Sequence, residues 1–168
     1  MKRVVVTGLG AISPLGNSKD ELWDGLIKGK SGIGYITKFD PKDHDVKIAA
    51  EVKNFDPTMY LGKKEAKRMD LFSQYAVAAS KQAIEDGDID LGLLDLERVG
   101  TIIGSGIGGI ITLEAEKEKM ELKGPSRISP LFIPMMITNM AAGQVSMNLG
   151  LKGSSMTLAT ACASATHA

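Results

Sequence analysis

Residues 154–165 read SSMTLATACASA, and this stretch decides the fold. Residues 154–160 predict a strand, and the small residues that follow predict a tight turn from that strand into a helix. Cys162, the one cysteine of the chain, lies on the turn. Free N–H groups and the partial positive charge at a helix N-terminus stabilise a thiolate and can bind an oxyanion. The pattern therefore indicates a nucleophilic cysteine.

The predicted elements run in the order strand, helix, strand, helix, strand, helix, helix, strand, which is typical of an α/β fold. The three earlier strands are predicted at residues 4–7, 46–52 and 99–103. Helices are predicted to begin near Ser18, at Lys63, after Gly109 and at Ile137. Because residues 4–7 form a continuous β-branched run, we expect that strand to be central in its sheet and covered on both faces. Prolines predict loops at residues 55–60 and 128–134.

Composition excludes several classes of protein. The 168 residues carry 20 basic and 20 acidic side chains, so the basic excess of a nucleic-acid binder is missing. No apolar run approaches the ~18 residues of a membrane span, and the N-terminus does not resemble a signal peptide. A lone cysteine forms no internal disulfide, and no cysteine and histidine spacing indicates a metal site. We expect one domain, in the cytoplasm, without membrane insertion.

A glycine-rich turn opens a second interpretation. Residues 104–109 read GSGIGG and match the G-x-G-x-x-G pattern of dinucleotide-binding proteins, between a predicted strand and a predicted helix. A Rossmann unit then requires a parallel strand after the helix. Residues 123–130 read KGPSRISP and cannot supply one, because prolines break a central strand. The nucleotide-binding oxidoreductase interpretation stays open as the weaker one.

Neither histidine of the chain is a good base for Cys162. His167 follows Cys162 by five residues, about 140° around a helix, so the two side chains do not share a face. His44 lies between Asp43 and Asp45, near Pro41, in a predicted exposed turn. We expect the proton partner of the cysteine to lie outside these residues.

Six motifs in order carry a resemblance to a known family. They are VVVTGLG at residues 4–10, SGI at 31–33, KRMD at 67–70, GSGIGG at 104–109, ISP at 128–130 and TACAS at 160–164. Together they resemble the N-terminal part of the elongating β-ketoacyl-[acyl-carrier-protein] synthases, most closely those of the synthase II type. The resemblance covers the whole chain.

The resemblance implies a thiolase-like fold of layers α-β-α-β-α, with residues 1–168 as its N-terminal half and the cysteine at the N-terminus of a buried helix. It implies an acyltransferase of fatty acid biosynthesis, in which Cys162 holds the acyl group and malonyl carrier protein supplies the nucleophile after decarboxylation. The implied partners are acyl carrier protein and a second copy of the chain, paired through residues 154–160, and no cofactor or metal is implied. The second oxyanion donor, two histidines and a lysine belong to the C-terminal half, so we expect this chain alone not to condense.

The same resemblance assigns further roles. It places Ile107 at the acyl tunnel and Phe132 at the tunnel of the neighbouring subunit. It places four cations on the surface for acyl carrier protein: Lys64, Lys67, Arg68 and Arg127. A non-catalytic fragment or subunit that keeps the fold is the main alternative, and the oxidoreductase is the third.

Overall fold

The structure is a computed structural model that describes residues 3–168. The helices are α1 (Lys19–Ile27), α2 (Lys63–Ala66), α3 (Leu71–Asp86), α4 (Ile110–Lys123), α5 (Phe132–Met136), α6 (Met140–Leu149) and α7 (Ser164–His167). The strands are β1 (Ile33–Tyr35), β2 (Ile48–Ala50), β3 (Thr101–Gly104) and β4 (Ser155–Leu158). Five single 3₁₀ turns connect them at Pro57–Met59, Leu91–Leu93, Leu96–Arg98, Pro125–Arg127 and Ala161–Ala163.

Strands β3 and β4 pair in parallel, with Thr101 beside Ser155 and Gly104 beside Leu158. The helices α4, α5 and α6 make the crossover between them, as a parallel pair requires. The pairing continues past the strands, because the Ser105 N–H donates to the Leu158 carbonyl at 3.0 Å. The predicted strands at residues 99–103 and 154–160 are thus confirmed in shortened form.

A second sheet pairs β1 with β2 in antiparallel register, Ile33 opposite Ala50. The prediction of a strand at residues 46–52 is confirmed for its central residues. The sequence analysis missed β1, since Gly32 and Gly34 interrupt its apolar pattern and glycine is depleted in strands.

The core lies between α3 and α6, where Val77 is fully buried and Val145 nearly so. The buried cluster consists of Leu61, Ala66, Met69, Val77 and Val145. Small buried residues on α6, Ala141 and Ala142, let the two helices approach closely. The helix predicted from Lys63 is present as two helices, α2 and α3, with Asp70 as the N-cap of the second.

The prediction of a central, covered strand at residues 4–7 is wrong. No strand of residues 3–168 pairs with this run, and the Val4 and Val6 side chains are 92% and 79% exposed. The chain after it turns onto α3 instead, where an added Cβ at Gly10 would lie 1.9 Å from the Ala79 carbonyl oxygen. An extended apolar run becomes a strand only when a neighbouring strand pairs with it.

Three boundary predictions also fail. Residues 132–134 of the predicted loop at 128–134 belong to α5, which Pro134 permits because it occupies the first turn, where no intrahelical N–H bond is lost. The following helix begins at Met140 and not at Ile137. The predicted loop at residues 55–60 contains the 3₁₀ turn Pro57–Met59, which the Asp56 carboxylate caps.

Within the described part of the chain, no helix combines the length and apolarity needed to cross a bilayer.

One buried amide joins α2 to α3. The Gln74 Nε2 donates to the backbone carbonyls of Ala66 and Met69 at 2.9 and 3.0 Å, and the side chain is buried. These carbonyls end the segment that carries Lys64 and Arg68. Gln74 therefore fixes that segment against the core.

Replacing Gln74 by Met should lower the free energy of unfolding by about 1–3 kcal/mol, because the Met69 carbonyl loses its side-chain donor and the Ala66 carbonyl keeps only the Met69 N–H. The half-buried Gln144 on α6 lines an open cavity, and Gln144→Met is the matched control, with an expected change within about 0.5 kcal/mol. Chemical denaturation of both variants measures the difference. Equal losses in the two variants would contradict the assigned role.

Candidate active site

The two turns that leave β3 and β4 lie side by side. Because β3 and β4 are parallel, both turns emerge at the carboxyl edge of the pair. An added Cβ at Gly104 would lie 2.5 Å from the Ala165 nitrogen, so this glycine lets the first turn of α7 rest directly on β3. At Gly106 an added Cβ would lie 3.6 Å from the Ala161 Cα, an ordinary contact. The glycine-rich turn therefore borders the residue that precedes Cys162.

The cysteine turn is held by the side chain of Ser164. Its buried hydroxyl accepts from the Thr160 N–H at 2.9 Å and donates to the Ala161 carbonyl at 2.7 Å. Ala161 has φ +50, a left-handed conformation that costs a non-glycine residue about 1–2 kcal/mol. The two hydrogen bonds of Ser164 span this strained residue and hold the turn at the end of β4.

Cys162 lies in the 3₁₀ turn Ala161–Ala163, immediately before α7, and is exposed. The resemblance implied a buried helix here, but α7 buries Ser164 and leaves residues 165–168 exposed. Within residues 3–168, β3 packs against one side of α7 and the other side faces solvent. The thiol is thus open to a reagent or substrate from that side.

His167 turns back to the strand end. Its Nδ1 lies 2.9 Å from the Thr160 Oγ1, an interaction in which either group can donate according to the histidine tautomer. This contact and the Ser164 bond both join Thr160 to the helix after the cysteine. His44 lies far along the chain in the loop between β1 and β2, with its ring in an edge contact with Phe39.

An apolar cavity of about 370 Å³ borders the glycine-rich turn at Ile107 and Gly109. Ile107 projects there and is 71% exposed, which excludes a core contact under the turn. The lining also includes residues of α4 and α5 and of the segment after α5: Gly109, Ile110, Leu113, Met136, Ile137 and Thr138. Phe132, at the start of α5, is half-buried and does not belong to this lining.

The four predicted surface cations are all exposed, and the structure brings two of them together. Lys64 and Arg68 line one cavity of about 360 Å³, together with Glu65, Met69 and Gln144. Lys67 caps the end of α2, and Arg127 ends the 3₁₀ turn after α4, both outside that lining.

Two backbone amides at the start of α4 are already bonded to other parts of the protein. The Gly109 N–H donates to the Met136 carbonyl at 2.8 Å, and the Thr112 N–H donates to the Asp70 carboxylate at 2.8 Å. Gly108 has φ +82, and an added Cβ there would lie 2.4 Å from the Met136 carbonyl oxygen. A phosphate would meet a carboxylate and a carbonyl at this helix N-terminus, which argues against the dinucleotide interpretation.

Comparison with known proteins agrees with these features. The family model for the β-ketoacyl synthase N-terminal domain matches residues 1–168. The chain belongs to the β-ketoacyl synthase family. It is 51% identical over 167 residues to the 3-oxoacyl-[acyl-carrier-protein] synthase 2 of Synechocystis. The aligned region covers 99% of this chain and 40% of that relative. The chain thus spans about two-fifths of the length of the curated relatives that it matches.

Solved ketosynthases share the fold. A β-ketoacyl synthase from Burkholderia phymatum matches with a TM-score of 0.80 and 28% identity, over 100% of this chain and 42% of that one. A type II PKS acyl-carrier protein in complex with its ketosynthase matches with a TM-score of 0.79 and 26% identity, over 98% and 43% of the two chains. The predicted fold class is therefore confirmed: residues 3–168 form the N-terminal part of the thiolase-like α/β fold of ketosynthases.

Two features of this site could not be predicted from the sequence. One is the hydrogen bonding of Ser164 across the turn, and the other is the contact of Asp70 with Thr112. A serine two residues after the cysteine was read only as a small neighbour. An aspartate before an apolar helix indicates an N-cap, and nothing in the local pattern indicates a partner 42 residues away.

Replacing Ser164 by Ala should accelerate hydrogen exchange of the Thr160 amide about tenfold, since that N–H loses an acceptor whose bond contributes about 1.4 kcal/mol. Thr166→Ala, at an exposed position of the same helix, is the matched control and should leave this amide unchanged. Exchange followed by NMR measures both. Unchanged exchange at Thr160 in the Ser164 variant would show that the hydroxyl does not hold the turn.

Proposed function

We propose that this chain is the nucleophile-bearing half of a β-ketoacyl-[acyl-carrier-protein] synthase of fatty acid biosynthesis. The observation that carries the proposal is the position of Cys162: an exposed thiol on a strained strand-to-helix turn, next to a glycine-rich turn whose Ile107 and Gly109 line an apolar cavity. Relatives at 51% and 46% identity carry the name 3-oxoacyl-[acyl-carrier-protein] synthase 2.

In the proposed first step, the Cys162 thiolate attacks the carbonyl carbon of an acyl thioester. A new S–C bond forms at Cys162, the carrier's S–C bond breaks, and the released carrier thiolate takes up the proton that the cysteine lost. The Cys162 N–H is one candidate donor to the oxyanion, because it lies at the start of the turn into α7. The acyl chain then extends into the cavity beside Ile107.

In the proposed second step, malonyl carrier protein loses carbon dioxide, and its carbanion attacks the acyl group on Cys162. The thiolate leaves, and the product carries two more carbons and a β-keto group. His167 contacts Thr160 and His44 contacts Phe39, and we propose no role in decarboxylation for either of them. We assign that help to the C-terminal half of the fold, so residues 1–168 stop at the acyl-enzyme.

Acyl carrier protein is the proposed donor of the acyl group. A structural neighbour of this chain is a ketosynthase in complex with an acyl-carrier protein, which supports the pairing. Lys64 and Arg68, which share one open cavity, are the proposed contacts, since the chain has no net charge and any steering of an acidic partner needs local clustering. Lys67 and Arg127 are also exposed, and we include both in the proposed surface.

The proposal includes a homodimer. On one side β4 pairs with β3, and no strand of residues 3–168 covers its other edge, where Met156 is 51% exposed. An unpaired edge of this kind accepts a strand from a second copy. Phe132 of the second copy would then line the acyl cavity.

A lone cysteine and carrier-bound substrates agree with a cytoplasmic enzyme.

Incubation with a long-chain acyl carrier protein tests the nucleophile. The mass of the 168-residue chain should increase by one acyl group, and Cys162→Ala should remain unmodified, because no other thiol is available. Neither protein should form β-ketoacyl product. An intact-mass measurement decides between a condensing half and a non-catalytic fragment: an unmodified wild-type chain would support the fragment, and a modified Cys162→Ala would place the acyl group elsewhere.

Reversing the charges of Lys64 and Arg68 should lower the second-order rate constant for Cys162 acylation by acyl carrier protein about tenfold or more, while acylation by a small pantetheine thioester stays nearly unchanged. Lys117→Glu with Lys123→Glu, on the exposed side of α4, is the matched control with the same change in net charge. Rates of Cys162 acylation from the two donors measure the effect. Equal losses with both donors would indicate damage to the fold and not a docking surface.

A further inference from the structure

A buried carboxylate joins the starts of two helices. Asp70 is 5% exposed and is the N-cap of α3, where its Oδ1 accepts weakly from the Phe72 N–H at 3.4 Å. Its Oδ2 accepts from the Thr112 N–H at 2.8 Å and from the Thr112 Oγ1 at 2.7 Å. Thr112 belongs to the first turn of α4. One side chain thus caps both α3 and α4.

The same carboxylate borders the glycine-rich turn. An added Cβ at Gly109 would lie 3.1 Å from the Asp70 Cβ and 2.4 Å from the Met135 carbonyl oxygen. Gly109 is therefore enclosed between Asp70 and the end of α5, with its N–H bonded to the Met136 carbonyl. Met136 lines the cavity beside Ile107, and so does Gly109 itself.

The surroundings of Asp70 contain no cation within 4 Å among residues 3–168. Tyr75 lies on the same helix, and burial, with a smaller contribution from Asp70, raises the pKa of its phenol. A buried carboxylate that depends on N–H and O–H donors alone destabilises a fold when those donors are lost. Its bonds to Thr112 are therefore the specific contacts that hold it against α4.

From this geometry we infer that Asp70 is a positioning residue for the acyl cavity: through Thr112 and Gly109 it fixes the glycine-rich turn against α5, and so sets how long an acyl group the site accepts. The inference rests on the proposed acyl transfer to Cys162. Asp70 touches no substrate and acts through the turn that carries Ile107. Loss of the link lets Gly109 and Met136 shift relative to each other, which narrows the cavity for long chains before it affects short ones.

The test measures acylation of Cys162 from butyryl-pantetheine and myristoyl-pantetheine with the 168-residue chain. Thr112→Val, which keeps the shape of the side chain and loses one bond to Asp70, should lower the ratio of the second-order rate constants of acylation, myristoyl over butyryl, about fivefold. Asp70→Asn should lower it further. Thr112→Ser keeps the hydroxyl and should restore the wild-type ratio.

The chain offers a matched control at its other aspartate–threonine pair. The Asp56 Oδ1 accepts from the Thr58 N–H and Oγ1 at the same 2.8 and 2.7 Å, but both residues are remote from the cavity lining. Asp56→Asn and Thr58→Val should leave the ratio unchanged. Equal loss with both thioesters in Thr112→Val and Asp70→Asn would reduce Asp70 to a structural cap and overturn the inference.

Amide exchange separates failure of this inference from failure of the proposed function. Thr112→Val should accelerate exchange at residues 105–112 and 135–138, and Thr112→Ser should not. If the wild-type chain accepts neither thioester, the proposed function fails and this exchange pattern still decides whether Asp70 holds the turn. Unchanged exchange at those residues would overturn the positioning role whether or not the chain is acylated.

Discussion

The parallel pairing of β3 with β4 is the contact on which the rest of the structure depends. It aligns Gly104 with Leu158, so that the two turns that follow leave the sheet at the same edge. The absence of a side chain at Gly104 then lets the first turn of α7 pack on the strand end. A cysteine and a glycine-rich turn that are more than 50 residues apart in sequence meet there because of this register. The chemistry assigned to Cys162 follows from that meeting.

Elements that local patterns define were predictable from the sequence. The strand before Cys162, the turn of small residues and the helix after Asp70 each have their signals within a few residues, and the structure contains all three. Membership of the family could also be predicted from the sequence, because the resemblance rests on short motifs in a fixed order. Ile107 lines a cavity in the structure, and its role beside an acyl group stays a prediction that rests on the resemblance.

Elements that depend on distant partners were not predictable. The run at residues 4–7 has the composition of a central strand, but its pairing depends on a neighbour, and residues 3–168 supply none. Conversely, α5 exists in spite of Pro134, since the proline occupies a first-turn position. The link from Asp70 to Thr112 joins two helices through one carboxylate, and neither residue is unusual in its own segment. Such contacts become visible only once the helices are packed.

We propose that the cavity beside the glycine-rich turn receives the acyl group held on Cys162. A crystal structure of the chain after reaction with a long-chain acyl thioester would show where that group lies. We expect continuous density from the Cys162 Sγ past Gly106 and into the cavity lined by Ile107, Ile110 and Met136. Density for an acyl group that leaves Cys162 toward solvent, or that lies on another residue, would contradict it.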